Sequence, residues 1–317
     1  MVLAAGRGER MRPLSDALPK PALPLVEEAV IASPLRLAAN AGANRVVVNT
    51  WHLNDEMGAA LAETEPGCAV VVSREHELMG TAGGLALARD RGLLGTSGPV
   101  LVVNGDGLLN LDLAPVFERL ADDDLEVVLA LLPHLDPCRW SRVLLDADNL
   151  VTRIEPPGRP SDDEVPFVYP GVMLISRRAL DSIEPGPGEV PARLWQPALA
   201  RRGLGGVVVS GHWREIGTPA AYLEAVLTRL RDDRIVHPSA TVHPTASVAA
   251  AVVGRDAVVE AGAEVSSAVV AHGARVRRGA RVVRSVLLGA VAASPKEVVE
   301  DEFRSARRDR SHRRGAG

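Results

Sequence analysis

The chain has few aromatic residues and no long uninterrupted apolar stretch. Phe, Trp and Tyr together account for only 3% of its 317 residues, so a hydrophobic core must be built largely from Ala, Val and Leu. No apolar run approaches the ~20 residues that a membrane-spanning helix requires. The N-terminus has only a few apolar residues before Arg7 and Arg10, too few for a secretory signal. We therefore expect a soluble protein without a membrane partner.

Cysteine and excess positive charge are also scarce. Only Cys68 and Cys138 are present, and two lone cysteines without metal-site spacing exclude a disulfide framework and fit a reducing, cytoplasmic compartment. The formal net charge is −4 at pH 7. Because binding to a phosphate backbone needs a basic surface, this balance argues against a dedicated nucleic-acid-binding protein.

The chain is long for one compact domain, and its first part, 1–232, alternates strand and helix patterns. The expected strands are 1–5, 45–49, 69–73 and 99–104, and the expected helices are 30–41, 54–63 and 83–91. This alternation is typical of an α/β, Rossmann-like doubly wound sheet. Further strand patterns, which make that sheet mixed, lie at 125–132, 142–145 and 167–175, and a helix pattern at 219–230 closes the domain.

A different texture follows the closing helix pattern. Val236, Val242 and Val248 recur every six residues, and valines continue beyond them at intervals of five or six. This hexapeptide period predicts a short left-handed parallel β-helix over 235–292, with roughly three coils. The alternative is a loop-rich sheet of Val and Gly. Residues 293–317 are charged and Arg-rich, which predicts a disordered tail.

A glycine-rich segment follows the first expected strand directly. It reads Gly6-Arg-Gly-Glu-Arg-Met-Arg-Pro-Leu14, with Pro19-Lys-Pro21 shortly after it. A dinucleotide-binding fingerprint would need a third glycine where Met11 stands, and a Walker loop would need Gly-Lys-Ser/Thr. A glycine turn that lets backbone N–H groups approach phosphate, with three arginines and a lysine nearby, predicts a polyphosphate site. The alternative is a tight turn with exposed arginines.

The same segment resembles the signature of the sugar-1-phosphate nucleotidyltransferase family, which makes NDP-sugars. The family pattern is L-A-A-G-x-G-T-R-L/M-x-P-L-T followed by P-K-P, and this chain has Leu3-Ala-Ala-Gly-Arg-Gly-Glu-Arg-Met-Arg-Pro-Leu-Ser15 and Pro19-Lys-Pro21. Further matches follow in the family's order: Glu75, Gly80-Thr-Ala-Gly-Gly84, Asn104-Gly-Asp106, Tyr169-Pro-Gly171 and Trp213-Arg-Glu-Ile-Gly-Thr-Pro219 with Tyr222-Leu223. Several members of the family also carry a C-terminal β-helix.

The resemblance implies a Mg²⁺-dependent reaction in which a phosphate oxygen of a sugar 1-phosphate attacks the α-phosphorus of a nucleoside triphosphate. The attacking phosphate is already largely anionic, since its second pKa is about 6, so the reaction needs charge neutralisation rather than a general base. By match to the family, Arg10 and Lys20 would be catalytic, and Asp106 and Glu215 would hold Mg²⁺. The residues implied for the nucleotide are Leu3, Ala5, Gly6, Arg7, Gly8, Glu75, Gly80 and Thr81, and those implied for the sugar are Asn104, Glu155 and Gly171.

The sequence departs from the family pattern mainly on the sugar side. Glu155-Pro-Pro stands where many members have E-K-P, so the lysine that neutralises the sugar phosphate is missing. Trp140-Ser141 stands where Tyr-Gly is common. Glu9 replaces a threonine beside the phosphate loop, and Glu215 replaces a metal-binding aspartate. This asymmetry favours an active enzyme with an altered choice of sugar.

Several activities fit these residues. The leading hypothesis is mannose-1-phosphate guanylyltransferase activity, because two-domain members with a short β-helix often carry it. The alternatives are an N-acetylmuramate-1-phosphate uridylyltransferase, another uridylyl-, thymidylyl- or adenylyltransferase, or a non-catalytic regulatory protein that binds a nucleotide-sugar. Because the exposed ends of a short solenoid need covering, the β-helix is a candidate surface for homo-oligomer formation.

Overall fold

A computed structural model of the chain describes residues 1–122, 124–134, 136–161 and 163–307. Contacts group the chain into two units. The first unit combines Met1–Gly6 with Val30–Glu215, and the second combines Arg7–Ala29 with the chain from Ile216 onward. The expected domains, 1–232 and 235–292, follow the order of the chain, whereas these units do not: the glycine-rich segment is grouped with the repeats.

The secondary structure before the repeats consists of short strands and eight α-helices among the described residues. The strands are β1 (Val2–Leu3), β2 (Pro24–Leu25), β3 (Glu28–Ala29), β4 (Arg45–Thr50), β5 (Ala69–Arg74), β6 (Val100–Asn104), β7 (Gly107–Leu111), β8 (Val127–Pro133), β9 (Arg142–Leu145), β10 (Val151–Glu155), β11 (Phe167–Val168), β12 (Val172–Ile175), β13 (Leu204–Val208) and β14 (Gly211–Glu215). The helices are α1 (Leu14–Ala17), α2 (Ala32–Asn40), α3 (Asn54–Ala62), α4 (Gly80–Asp90), α5 (Ala114–Asp122), α6 (Arg177–Asp181), α7 (Gln196–Ala200) and α8 (Pro219–Leu230). None of them, within the described residues, has both the length and the apolar character needed to cross a bilayer.

The first unit is built around one mixed sheet. Its path of neighbouring strands is β10-β9-β11-β8-β12-β6-β1-β4-β5, and β13 also pairs with β8. Strands β6, β1, β4 and β5 run parallel, whereas β12 is antiparallel to both β6 and β8. Val46, Val47 and Val48 of β4 are all buried, as expected for a central strand of a sheet covered on both faces. The predicted mixed, Rossmann-like α/β sheet is confirmed.

The carboxyl ends of the parallel strands bring site candidates into one row. Leu3 pairs with Asn49 of β4 on one side and with Asn104 of β6 on the other. Asn49 pairs in turn with Ser73 of β5. Ligands of open α/β sheets bind beyond this edge of the strands. The fold therefore places the ends of four strands where the sequence motifs lie.

The apolar segment 167–175, expected as one strand, forms the two strands β11 and β12. Tyr169, Pro170 and Gly171 separate them, and Gly171 has a φ of +88°. This left-handed conformation is accessible to glycine without steric cost and redirects the chain directly before β12. A hydrophobic pattern does not report such a turn, because it depends on the backbone angles of one residue.

The C-terminal repeats form three ladders of parallel strands. These strands are β15 (Ile235–Val236), β16 (Thr241–Val242), β17 (Ser247–Ala249), β18 (Val252–Val253), β19 (Val258–Val259), β20 (Glu264–Ser266), β21 (Val269–Ala271), β22 (Arg275–Val276), β23 (Arg281–Val283), β24 (Val286–Gly289), β25 (Ala292–Ala293), β26 (Val298–Glu300) and β27 (Phe303–Ala306). Val252 pairs with Val269, and Val269 with Val286, so one coil takes 17 residues. The predicted parallel β-helix is confirmed.

Valine and alanine side chains fill the interior of the β-helix. Val248, Val265, Val282 and Val299 stack at successive coils and are buried. The ladders continue past residue 292, where the sequence predicted a disordered tail: β26 and β27 lie there instead. The charged residues of these strands lie outside the coil and form ion pairs, as Arg304 does with Glu297 at 2.8 Å. A charge-rich sequence can still form a coil, because each strand needs only one or two inward aliphatic side chains. Residues 308–317 of that tail lie outside the described residues.

Candidate active site

The glycine-rich segment folds back on itself within the second unit. Gly8 has a φ of +63°, and Ser15 Oγ donates a hydrogen bond of 2.8 Å to the Gly8 carbonyl. A Cβ added at Gly8 would lie 3.2 Å from Ser15 Cβ and 3.6 Å from Lys20 Cβ. Glycine is therefore needed both for the left-handed backbone and for the close approach of the chain. The structure brings together Gly8 and Lys20, two of the predicted site residues.

Positive charge exceeds negative charge in residues 7–20. The cations are Arg7, Arg10, Arg12 and Lys20, and the carboxylates are Glu9 and Asp16. Arg7 Nη1 lies 3.5 Å from Glu9 Oε1, so the unusual glutamate faces one of the predicted phosphate-binding residues. An exposed pair of this kind contributes little and is screened by salt. The segment keeps a net positive charge, which suits a polyphosphate ligand.

Helix α8 holds the residues that directly follow this segment through two contacts. Tyr222, which is fully buried, donates its hydroxyl hydrogen to the Pro24 carbonyl at 2.5 Å. Arg229 Nη2 lies 2.8 Å from Glu28 Oε1. Burial also raises the pKa of the Tyr222 phenol, so this donor stays protonated. Tyr222, part of the last family motif, is thus a packing residue that anchors the chain between Lys20 and α2.

Glu75 lies at the centre of a buried hydrogen-bond network in the first unit. Asn49 Nδ2 donates to Glu75 Oε1 at 2.8 Å, and the Met79 N–H donates to Glu75 Oε2 at 3.1 Å. Asn49 Oδ1 accepts the N–H of Ala4 at 2.8 Å, which connects Glu75 to the end of β1. Desolvation raises the pKa of Glu75, and these hydrogen bonds partly oppose that shift. Glu75 thus fixes the backbone at the sheet edge where β1 and β4 end.

The N-terminus of α4 is held by a distant glutamate. Thr81 Oγ1 donates to Glu189 Oε2 at 2.7 Å and accepts the Val190 N–H at 2.8 Å. A Cβ added at Gly80, whose φ is +70°, would lie 2.6 Å from the Gly188 carbonyl oxygen. The predicted nucleotide residues Gly80 and Thr81 are therefore packed against the segment 188–190.

Asn104 and Gly171, both predicted for the sugar, are in contact. The Asn104 N–H donates to the Gly171 carbonyl at 2.8 Å, and a Cβ added at Gly171 would lie 2.5 Å from Asn104 Nδ2. One residue further, the Gly105 N–H donates to the Leu3 carbonyl at 2.8 Å. The ends of β1 and β6 and the turn before β12 therefore meet at one point, and only glycine fits beside the Asn104 side chain.

Antiparallel pairing of β7 and β14 brings together the chain segments that contain the two predicted metal ligands. Glu215 pairs with Gly107, the residue that follows Asp106. A Cβ added at Gly107 would lie 3.2 Å from Trp213 Nε1, which explains the small residue at this position. Trp140 Nε1 donates to Glu215 Oε2 at 2.9 Å. The indole rings of Trp140 and Trp213 lie 5.2 Å apart, so one aromatic pair borders the Glu215 carboxylate.

These two carboxylates fit a magnesium ion better than a closed metal cage. No group of three or more His, Cys, Asp or Glu side chains within the described residues is arranged to hold a metal. Mg²⁺ is usually bound by one or two carboxylates together with waters and substrate phosphates. A carboxylate has about four lone-pair sites, so the bond from Trp140 still leaves Glu215 able to act as a ligand.

A cavity of about 740 Å³ extends from Glu215 along the sheet of the first unit. Its lining is mostly apolar, and the aromatic and aliphatic members include Trp140, Tyr169, Trp195, Trp213, Val143, Ile154, Val168 and Leu199. The rings of Tyr169 and Trp195 meet edge to face at 5.0 Å. Burial raises the pKa of the Tyr169 phenol, which therefore stays a neutral donor. This volume lies within the range of sites that enclose small organic ligands.

Glu155 and Arg153, which line the cavity, belong to an ion-pair network of two arginines and two glutamates. Arg142 Nη2 lies 2.7 Å from Glu155 Oε2, and Arg153 Nε lies 3.3 Å from Glu155 Oε1. Arg153 Nη2 also lies 2.6 Å from Glu164 Oε1. Both oxygens of the predicted sugar residue Glu155 thus face guanidinium groups. Among the described residues, Arg153 is the only cationic side chain that lines the cavity.

Arg153 was missed by the motif analysis, although the sequence contains a signal for it. It lies two residues before Glu155 in β10, and residues two apart in a strand share a face. A β-bulge between Val151 and Arg153 shifts the register of β10 against β9. Bulges are common where a strand re-aims a side chain beside a site. The bulge itself could not be predicted from the sequence.

Comparisons with known proteins were made for the whole chain. Residues 1–231 match the family model described as Nucleotidyl transferase. The mannose-1-phosphate guanylyltransferase catalytic subunit beta of Xenopus tropicalis is 24% identical over 249 residues, covering 75% of this chain and 66% of the relative. The mannose-1-phosphate guanylyltransferase of Mycobacterium tuberculosis is 29% identical over 263 residues, covering 76% and 70%. Mannose-1-phosphate guanylyltransferase 1 of Arabidopsis thaliana is 26% identical over 231 residues, covering 70% and 62%. The match therefore spans just under two thirds of the length of the Xenopus and Arabidopsis relatives.

Proposed function

The chain belongs to the nucleotidyl transferase family, and from this premise we propose that it is a sugar-1-phosphate nucleotidyltransferase, which joins a nucleoside triphosphate to a sugar 1-phosphate. The observation that carries the proposal is the pairing of Glu215, which lines the cavity, with Gly107, the residue that follows Asp106. The relatives' names favour mannose 1-phosphate and GTP as the nominal substrates. A uridylyl-, thymidylyl- or adenylyltransferase acting on another sugar phosphate is the alternative.

The proposed reaction is a single displacement at phosphorus. A phosphate oxygen of the sugar 1-phosphate forms a bond to the α-phosphorus of the nucleoside triphosphate, the bond to the β-phosphate oxygen breaks, and pyrophosphate leaves with that electron pair. Two anions must meet, so positioned cations supply most of the rate enhancement. Arg10 would neutralise the departing pyrophosphate and Lys20 the reacting phosphates, while the Gly6, Arg7 and Gly8 backbone would contact the triphosphate.

Magnesium would be held by Asp106 and Glu215. When bound, Mg²⁺ neutralises phosphate oxygens and favours charge development on the leaving group. The part of the protein would be to orient the two carboxylates, and the hydrogen bond from Trp140 to Glu215 supports this role for Glu215.

The nucleotide would be recognised mainly by backbone groups. Glu75 and Thr81 already have partners within the chain, so their structural role is to fix the backbone around them. Leu3, Ala5 and Gly80 would then present main-chain atoms to the nucleoside. This arrangement suits a base that lies flat against small residues.

The sugar phosphate would occupy the 740 Å³ cavity. Asn104, Gly171 and Glu155 would face the sugar. Because Pro156 stands where the family has lysine, the cation facing the sugar phosphate has to come from elsewhere, and Arg153 is the cationic residue that lines this cavity within the described residues.

The test is a pyrophosphate-release screen of purified protein with Mg²⁺, five nucleoside triphosphates and a panel of sugar 1-phosphates. We expect turnover with at least one pair. In the active pair, Asp106→Asn should lower the rate roughly 100-fold or more, because metal-held charge contributes several kcal/mol to the barrier. Near-normal turnover of a folded Asp106→Asn protein would remove the metal assignment.

A non-catalytic protein that binds a nucleotide-sugar is the second candidate. Absence of pyrophosphate from every pair, together with binding of an NDP-sugar in calorimetry, would favour it. A cytoplasmic location and a homo-oligomer formed through the β-helix remain predictions. Light scattering of the purified chain tests the second of these.

A further inference from the structure

The last strand of the β-helix contacts the glycine-rich segment directly. Ser305 Oγ of β27 donates a hydrogen bond to the Pro13 carbonyl. Arg307 Nε, just after β27, donates to the Asp16 carbonyl at 3.2 Å. Both contacts lie within the second unit. They join residues that are 292 and 291 positions apart in the chain.

The segment that receives these contacts has little regular structure of its own. α1 has four residues, and turns of three residues at Glu9–Met11 and Lys20–Ala22 flank it. A helix cannot satisfy its last carbonyl groups internally, and Asp16 is one of the last residues of α1. The Arg307 side chain supplies a donor for that carbonyl. The apolar side of the segment is fixed as well, because Met11 and Leu14 are fully buried.

The contacts from β27 complement those from α8. Tyr222 and Arg229 of α8 contact the residues that follow the segment, at Pro24 and Glu28. Ser305 and Arg307 bind the earlier part, at Pro13 and Asp16. Arg10 precedes this earlier part by a few residues, and Lys20 follows it.

We propose that β27 is a positioning element for the phosphate-binding segment, with Ser305 and Arg307 as its positioning residues. This inference uses the proposed function only for its kinetic readout. The β-helix would then be required for the geometry of Arg10 and Lys20. A change that disturbs the last coil would then also alter triphosphate binding.

The test uses the full chain with the double substitution Ser305→Ala and Arg307→Met, which removes both side-chain donors. Loss of both contacts should raise KM for the nucleoside triphosphate by about tenfold, since small misplacements of binding groups are costly, while KM for the sugar phosphate stays within about twofold. Amide hydrogen exchange of residues 8–20 should become faster, whereas exchange in β15–β24 should not change. Ser305→Thr with Arg307→Lys, which keeps both donors, should restore most of the wild-type behaviour.

Arg277→Met provides the matched control. Arg277 is also a β-helix arginine, and its Nη1 lies 2.9 Å from Glu260 Oε1, in coils before the last one. It should leave both KM values and the exchange of residues 8–20 unchanged. Unchanged exchange in the double variant, or an equal change in the control, would overturn the inference. Hydrogen exchange does not depend on turnover. If the wild-type protein were inactive, the proposed function would be refuted, and the exchange measurement would still decide this inference.

Discussion

At the residue scale, two departures from the family pattern meet in one hydrogen bond. Glutamate at position 215 is one methylene longer than the usual aspartate, so its carboxylate has more side-chain freedom to lose on binding a metal. Trp140, which stands where tyrosine is common, restricts that freedom by donating its indole N–H to Glu215 Oε2 at 2.9 Å. The tryptophan at position 140 therefore compensates for the longer side chain at position 215.

The first prediction concerns this indole N–H. Trp140→Phe keeps an aromatic ring beside Trp213 but removes the donor to Glu215. We expect the apparent Mg²⁺ affinity to fall about tenfold, as is typical when a group that orients a metal ligand is lost. The measurement is the Mg²⁺ dependence of turnover, together with a direct Mn²⁺ titration of the protein.

Trp195→Phe is the matched control for this change. Trp195 lines the same cavity, but its indole N–H donates to Met173 Sδ at 3.4 Å rather than to a carboxylate. Its metal affinity should equal that of the wild type. If Trp140→Phe had the same Mg²⁺ and Mn²⁺ midpoints as the wild type, the hydrogen bond would not orient Glu215.

The second prediction concerns Arg153. Arg153→Gln removes the cation that faces the cavity, so KM for the sugar phosphate should rise about tenfold or more, with little change in KM for the triphosphate. Steady-state kinetics with each substrate varied in turn measure both constants. Arg153→Lys should recover part of the loss, because it restores the charge.

Arg202→Gln separates this effect from general loss of a surface arginine. Arg202 is 65% exposed and pairs with Asp146 at 3.0 Å, whereas the Arg153 side chain is 57% exposed. Arg202 does not line the cavity. If both glutamine variants had the same KM for the sugar phosphate, Arg153 would have no role in binding it.

The sequence predicts which residue types belong to the candidate site, but it does not predict their contacts. The family motifs assign Asp106 and Glu215 to one metal, and the register of β7 and β14 pairs Glu215 with Gly107, the residue after Asp106. Thr81 was assigned to the nucleotide, yet its hydroxyl bonds to Glu189, which is 108 residues away. Such partners depend on how loops pack, and no local pattern encodes them.

At the element scale, an ion pair joins the start of β8 to the end of α7. Glu126 is buried, and its carboxylate accepts two hydrogen bonds from Arg201, at 2.7 Å from Nε and 2.6 Å from Nη2. The Arg201 hydrogen bond holds the pKa of Glu126 below its ordinary value of 4.5. The folded state therefore favours the ionised carboxylate.

The third prediction follows from the sign of that shift. A lowered pKa stabilises the fold at pH values above 4.5, and this contribution is lost as the pH falls from 4.5 through the lowered pKa. Glu126→Gln should therefore be less stable than the wild type near pH 7, and the difference should shrink on acidification. Thermal unfolding between pH 7 and about pH 3 measures both curves. Parallel curves would mean that Glu126 does not contribute to the pH dependence.

The elements that could be predicted are those with a continuous apolar pattern. β4 and β6 are central strands whose Val-rich sequences signal burial on both faces. β14 was not predicted, because Gly-His-Trp-Arg-Glu contains one large apolar side chain and is half exposed. Its pairing with β7 is fixed by the tertiary structure rather than by local propensity.

At the scale of the whole molecule, the β-helix is a one-dimensional repeat. Within the solenoid each coil pairs only with the adjacent coils, so its stability is close to a sum of coil and interface contributions. The hexapeptide period predicted the coil, since inward valines recur whatever the tertiary context. The grouping of Arg7–Ala29 with the coil could not be predicted, because it rests on contacts such as Ser305 to Pro13 between opposite ends of the chain.

The last prediction tests whether the 17-residue period governs this repeat. Deletion of residues 252–268 removes one whole coil and joins Ala251 to Val269, which pairs at the same ladder position as Val252. Every inward side chain keeps its face, so a cooperative thermal transition should remain. Deletion of residues 252–267 shifts the following strands by one position and turns buried valines outward, so that transition should be lost. Circular dichroism during heating distinguishes the two proteins, and equal damage from both deletions would contradict a repeat held by its register.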